Sequence, residues 1–190
     1  PGGAQVQIHN LANKLSEKNI EVDCYIFDKS NLKNNEYKII LLNKLILSFV
    51  FILKYYFNLN LNFILKIYLN KIIKKKKYHV WHFNFINYKS LIIIDCLKDL
   101  KQKVLVTFQG IDIQLNKEIN YGYRLDKKYE KYLMSVLKKI DIFSCLSCTI
   151  KTDLLNLNVP LEKIFFIPNA VEIEKFQKLK KNKIKKDKIS

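Results

Sequence analysis

HVWHFNFINYKSLIIIDCLKDLKQKVLVTFQGID, residues 79–112, sets two short apolar runs on either side of a longer amphipathic one. Residues 79–84 and 103–108 are rich in valine and aromatic side chains, over lengths that suit strands. Residues 88–100 between them predict a helix. KVLVTF is apolar throughout, the composition of a strand buried on both faces of a parallel sheet. Strand, helix and strand in this order form a right-handed crossover unit.

The alternation continues in both directions. After a loop through Asn120 comes a helix that sets Leu125, Tyr129, Tyr132, Leu133, Val136 and Leu137 on one face. A strand at 141–146, a short helix at 149–157 and a last strand at 164–167 follow, ending at Pro168-Asn169. Upstream, Ala4, Ile8, Leu11, Ala12 and Leu15 form one face of a helix from Gly3 to about Lys18, and residues 20–27 read as a strand. Residues 38–77 are apolar and punctuated by lysine, and predict two helices broken near NLNLN (58–62). In the second, Asn62, Lys66, Asn70 and Lys74 are expected on one face and Phe63, Ile64, Ile67 and Tyr68 on the other. The expected fold is α/β, a Rossmann-like doubly wound parallel sheet with helices on both faces. Ligands of such folds bind beyond the carboxyl ends of the strands, so the informative loops are 1–3, 84–88, 109–120, 148–149 and 168–171.

A chain of 190 residues suits one well-packed domain. The formal net charge is +17, almost all of it lysine, because Arg124 is the only arginine. Grip on phosphate or base edges favours arginine forks, so no nucleic-acid partner is expected. An anionic membrane surface asks less of geometry and remains a partner to test. The longest uncharged apolar run, LILSFVFIL (45–53), is too short to span a bilayer. Cys24, Cys96, Cys145 and Cys148 sit among apolar neighbours without framework spacing, which fits a reducing cytoplasm. CLSC (145–148) has the spacing of a thiol redox site, but Cys145 falls inside an apolar strand, and small buried thiols are the simpler reading.

Gly2-Gly3 opens a helix, where unpaired backbone N–H groups and the helix dipole favour an anion such as a phosphate. The alternative is a tight turn that packs helix on strand. Gln109, Gly110 and Asp112 end a buried strand and suit hydroxyl recognition, because each sugar hydroxyl both donates and accepts. The competing reading has Asp112 capping a turn. His82 stands at the end of its strand, either structural or catalytic. No phosphate-loop or dinucleotide fingerprint is present.

Taken together and in order, these stretches resemble the family-four glycosyltransferases. PGGAQVQIHNLANKLSEKNIEV is similar to that family's glycine loop and first helix, HVWHFNF to its Asp-Val-Val-His-x-His-Phe strand, and VTFQGID to its Val-Thr-x-His-Gly-x-Asp. FSCLSCTIKTDLLNLNVPLEKIFFIPNAVEIEKF resembles its Leu-Gly-Val-Pro-x-x-Lys-Ile and Ile-Pro-Asn-Gly-Val-Asp stretch. The resemblance implies a GT-B fold, two Rossmann-like halves across a cleft. Residues 1–177 would be the N-terminal, acceptor-side half without its first strand, and 178–190 a lysine-rich linker to a second half outside this sequence. It places Gly2 and Gly3 near a donor diphosphate, His82, Gln109, Gly110 and Asp112 toward the acceptor or reacting sugar, and Asn169 in the interdomain cleft. Asn84 stands where the family has the second histidine of its pair, Gln109 where it often has a histidine, Ala170 for the usual glycine and Glu172 for the usual aspartate.

The function expected from the resemblance is retaining, metal-independent transfer of a sugar from a nucleotide sugar to a saccharide or lipid-linked acceptor. Such transfer belongs to envelope polysaccharide or lipopolysaccharide assembly, in the cytoplasm or at the inner face of its membrane. No cofactor or metal is expected, and this fragment alone should be inactive. The basic, apolar region 38–77 would lie at anionic lipid, each near-surface lysine adding roughly 1 kcal/mol. Two other classes compete: a non-catalytic basic module for anionic membrane or RNA, and a thiol oxidoreductase built on CLSC.

Overall fold

The computed structural model describes residues 3–27 and 36–170. Helix α1 (Gly3–Glu17) leads into strand β1 (Asp23–Ile26), and strand β2 (Lys38–Leu41) into helices α2 (Lys44–Phe57) and α3 (Asn62–Lys75). Strand β3 (Trp81–Phe83), helix α4 (Tyr88–Asp99), strand β4 (Val104–Phe108), helix α5 (Lys127–Leu137), strand β5 (Ile142–Cys145), helix α6 (Cys148–Asn156) and strand β6 (Ile164–Phe166) complete the order. Among the described residues every pairing between these strands is parallel. The chain is thus the expected α/β protein, with parallel strands flanked by helices in the manner of a Rossmann-like GT-B half. The strands form two sheets, β1-β2 and β3-β4-β5-β6, so among the described residues β1 and β3 each pair along one edge only.

Lys38–Leu41 was expected to be helical and is a strand. Its KIIL sequence is β-branched at the centre, and it pairs with β1 from Asp23↔Lys38 to Ile26↔Leu41. The two helices that follow break where expected. Asn43 caps α2 by accepting from the N–H groups of Leu45 and Ile46, and Asn58 ends it in the left-handed conformation at φ 57°.

Helix α4 is the centre of the molecule. Residues Ser90 to Leu97 are all buried, the pattern of a helix enclosed on every side. Beneath it, Val104, Val106 and Phe108 turn toward the helices, and Phe108 stacks on Phe143 of β5 with centroids 6.2 Å apart. The other face of this sheet carries His82, Leu105 and Ile142 in one row, then Thr107, Ser144 and Phe165 in the next. Ile142 and Phe165 are exposed there, so among the described residues that face is covered only in part, where apolar strands had implied cover on both.

Buried α4 carries one carboxylate, Asp95. Its Oδ2 accepts from Asn62 Nδ2 of α3 at 3.2 Å and from the Tyr132 hydroxyl of α5 at 2.9 Å. Lys139 Nζ donates to Oδ1, and Lys54 Nζ of α2 lies 3.8 Å away. This network changes the expected facing of α3 in part, while Ile64 and Tyr68 pack against the core as expected and Lys74 stays exposed. Asn62 is buried rather than solvated, Leu65 and Leu69 fill the core beside it, and Phe63 and Ile67 stand exposed. Lys66 pairs with Asp99, both partly exposed at the margin of this network. Lys54 has its pKa lowered by burial, which the carboxylate of Asp95 partly offsets. Asp95→Ala would leave that ammonium half-buried without its counter-charge. A loss of about 3–5 kcal/mol is expected, read as a lower urea midpoint at unchanged m-value; a loss below about 1 kcal/mol would mean the network is merely decorative.

Candidate functional site

The loops at the carboxyl ends of β3 and β4 are stapled together by one side chain. Asp112 is fully buried. Its Oδ1 accepts from the backbone N–H groups of Gln109 at 2.9 Å and Gly110 at 3.0 Å, and its Oδ2 from that of Ile86 at 3.1 Å. The Tyr129 hydroxyl, from α5, donates toward the Asp112 carbonyl at 2.8 Å. Burial raises the Asp112 pKa, and the three N–H groups named pull it back down. The carboxylate therefore holds its loop from within, the turn-capping role that competed with sugar contact.

That loop contains Gly110 at φ 121°, where an added Cβ would meet the Gln114 side chain at 3.0 Å. Gly122, which the sequence did not single out, is more constrained. At φ 107° its added Cβ would lie 2.0 Å from the Gln114 carbonyl oxygen. Arg124 clamps the same segment, donating to the Ile113 carbonyl at 3.1 Å and to Glu130 at 3.0 Å. The sole arginine is thus internal architecture.

On this scaffold stand the groups that can meet a ligand. His82 Nε2 is 2.8 Å from Thr107 Oγ1, across the open face of the sheet. Its ring is exposed on one side and crowded by protein on the other; the crowding lowers its pKa, toward about 4, and the open side tempers the push. The imidazole is neutral at pH 7, able to donate or accept. Gln109 is half-buried and its side-chain amide makes no hydrogen bond among the described residues. Thr107 and Ser144, buried neighbours in register, extend the polar row and were missed. The available signal was the lone hydroxyl in each otherwise apolar strand.

The remaining expected residues lie apart from this row. Gly3 is the first residue of α1, with open space where its Cβ would be, while Gly2 lies outside the described residues. Asn169 is exposed beyond β6, whose last hydrogen bond runs from Ile167 N–H to the Cys145 carbonyl at 3.0 Å. Burial raises the Cys145 thiol, which touches the Phe165 carbonyl, as it raises Cys24 to about 11 and Cys96 to about 12. Cys148 departs from the buried-thiol reading: it is exposed at the start of α6, because Ser147 rather than a thiol caps that helix. Among the described residues no three His, Cys, Asp or Glu side chains gather as metal ligands.

A family model described as Glycosyltransferase Family 4 matches residues 1–175. The chain belongs to glycosyltransferase family 4. No curated protein matches it. As a family-four domain it is built for glycosyl transfer, and a sugar donor and an acceptor are its general substrates. The loop at the carboxyl end of β4 holds Gln109 on a stapled, glycine-shaped rim, and His82 of β3 stands nearby on the open face of the sheet. Among the described residues no helix is long and apolar enough to cross a membrane.

Two outcomes test this family-four site. Asp112→Asn keeps one acceptor oxygen but sets an amide N–H₂ against a backbone N–H group, so stability should fall by about 1–3 kcal/mol in chemical denaturation. A neutral result would mean the staple is dispensable. His82 has a folded pKa below its ordinary 6.5, so the unfolded chain takes up the proton first as pH falls. Stability should therefore drop between pH 6.5 and about 4, more steeply in the wild type than in His82→Gln. Parallel stability curves for the two would show the ring equally solvated in both states.

Proposed function

We propose that this chain is the acceptor-side half of a retaining, metal-independent glycosyltransferase that draws on a nucleotide-activated sugar. In a longer chain, a further strand would lie between the single-paired edges of β1 and β3, and a second Rossmann-like half would follow the lysine-rich residues 178–190. The acceptor is a saccharide or a lipid-linked saccharide of the kind used in envelope polysaccharide or lipopolysaccharide assembly. The enzyme works in the cytoplasm, peripherally at the inner membrane face. The observation that carries this reading is the polar rim His82, Thr107 and Gln109 at the carboxyl ends of parallel strands in a family-four domain.

Retaining transfer develops positive charge at the anomeric carbon and negative charge on the departing diphosphate. The N–H groups at the start of α1, from Gly3 onward, are the donors for that diphosphate, and the sequence adds Gly2, which lies outside the described residues. Neutral His82, oriented by Thr107, and the Gln109 amide hold the acceptor hydroxyl, and Asp112 positions Gln109 through its backbone. Asn169 lines the cleft toward the second half. The engagement of Arg124 by Glu130 and a carbonyl argues against a nucleic-acid module, which would need that fork outward.

The test is a chain carrying both halves, incubated with nucleotide sugars and saccharide acceptors with and without EDTA. Transfer with retained anomeric configuration, unaffected by EDTA, is expected, and residues 1–190 alone should be silent. Gln109→Ala should lower kcat/KM by roughly 10²-fold at unchanged folding. Transfer with inversion, or none from any donor, overturns the reading.

A further inference from the structure

The outward side of α2 is apolar where a water-facing helix would be polar. Leu45, Phe49, Ile52 and Tyr56 recur at helical spacing along one stripe and are 82%, 52%, 45% and 65% exposed. The opposite side of the same helix is correctly buried, with Leu47 and Val50 in the core. Phe63 and Ile67, turned out by the Asp95 network, continue the patch onto α3. Single exposed apolar residues are ordinary, but a stripe of four on α2 with two more on its neighbour α3 marks a docking surface.

We propose that this face docks on an anionic phospholipid bilayer. The charge around it selects that occupant. Between Glu36 and Asp95 the chain has no carboxylate and ten lysines, of which Lys54, Lys66 and Lys76 are held by carboxylates from other segments. On α3 the exposed stripe runs from Phe63 and Ile67 to Lys71 and Lys74, so apolar contact gives way to cations within one helix length. A second copy would set lysine against lysine. Helices of 14 residues lie along a surface rather than across it.

The placement of α2 gives the docking a consequence. Its start lines a groove of about 330 Å³ with Phe27 at the end of β1 and with Tyr88 and Lys89 at the start of α4. Its end reaches the start of α5, where the Tyr55 hydroxyl donates to Asp126 at 2.6 Å and Lys128 Nζ to the Tyr55 carbonyl at 2.8 Å. Helix α2 therefore runs along the carboxyl-end edge of the sheet. Docked through its stripe, it holds the groove and the rim of His82 and Gln109 near the lipid headgroups. Within the groove Lys89 donates to Ser48 at 3.3 Å and lies over the Phe51 ring, an apolar slot with cations at its mouth. That suits the phosphate end of a lipid-linked acceptor, a detail that rests on the transfer reading above; the docking itself does not.

The experiment is co-sedimentation of the full chain with phosphatidylcholine vesicles, with and without phosphatidylglycerol, at low salt. Binding should require phosphatidylglycerol. Leu45→Glu with Phe49→Glu, both at exposed positions, should weaken it at least about tenfold, and each of Lys71→Gln and Lys74→Gln about fivefold, at unchanged circular dichroism. In Leu45→Trp the new indole should shift to the blue on such vesicles and be quenched by brominated lipid. No binding, equal binding to neutral vesicles, or glutamate variants that bind like the wild type overturn the proposal. So does a homodimer in sedimentation equilibrium that the glutamate pair dissolves without any vesicle binding. Transfer to a water-soluble acceptor, assayed in parallel on the chain carrying both halves, separates the two claims. If it persists without vesicle binding, this proposal falls together with the peripheral membrane placement and the transfer reading stands; vesicle binding without transfer leaves docking standing and removes the enzyme reading.

Discussion

A carboxylate in the middle of a helix buried on every side has to bring its partners in with it. Asp95 does this by drawing Lys54 from α2, Asn62 from α3, and Tyr132 and Lys139 from α5. An ionised group taken out of water without such partners costs several kcal/mol, so the helices must pack in a way that supplies them. Much of the arrangement of the helical layer can be traced to that demand. Helix α3 turns its polar Asn62 inward, Phe63 and Ile67 turn outward as a consequence, and α2 is drawn across the top of the layer by Lys54.

The same logic recurs at smaller scale in the site. Asp112 is a second buried carboxylate, satisfied by backbone N–H groups instead of lysines. Because those groups belong to two different loops, satisfying one charge fixes the geometry of both. The loop after β4 then has little freedom left, with Gly110 and Gly122 in conformations that disfavour a side chain and Arg124 pinned between Ile113 and Glu130. What stays adjustable at the rim is the Gln109 amide, while the His82 ring is oriented by Thr107 and keeps one side open. A rigid frame with a few free polar groups is the arrangement that holds a hydroxyl without reorganising for it.

Read as a sequence, the chain declared most of its elements. Strands β3 to β6 and helices α4 to α6 fall within a few residues of where period and length put them, because each is a strongly patterned segment. Strand β2 was lost because four residues inside a long apolar run carry no period of their own; only pairing with β1 makes them a strand. His82, Gln109 and Asp112 were visible as polar groups at strand ends. Their division of labour was not, since a carboxylate that caps and one that binds look identical in one dimension.

The sequence by itself determined the fold class and the parallel order, because periodicity is a local property, and its motif stretches carried the resemblance to the family. Only the tertiary structure decided which face of α3 is buried, which loop residues are engaged, and that α2 lies along the carboxyl-end edge of the sheet with its apolar stripe outward. Those follow from where Asp95 and Asp112 find their partners, up to 44 residues away in the chain. No local pattern encodes a requirement that is met at such a distance.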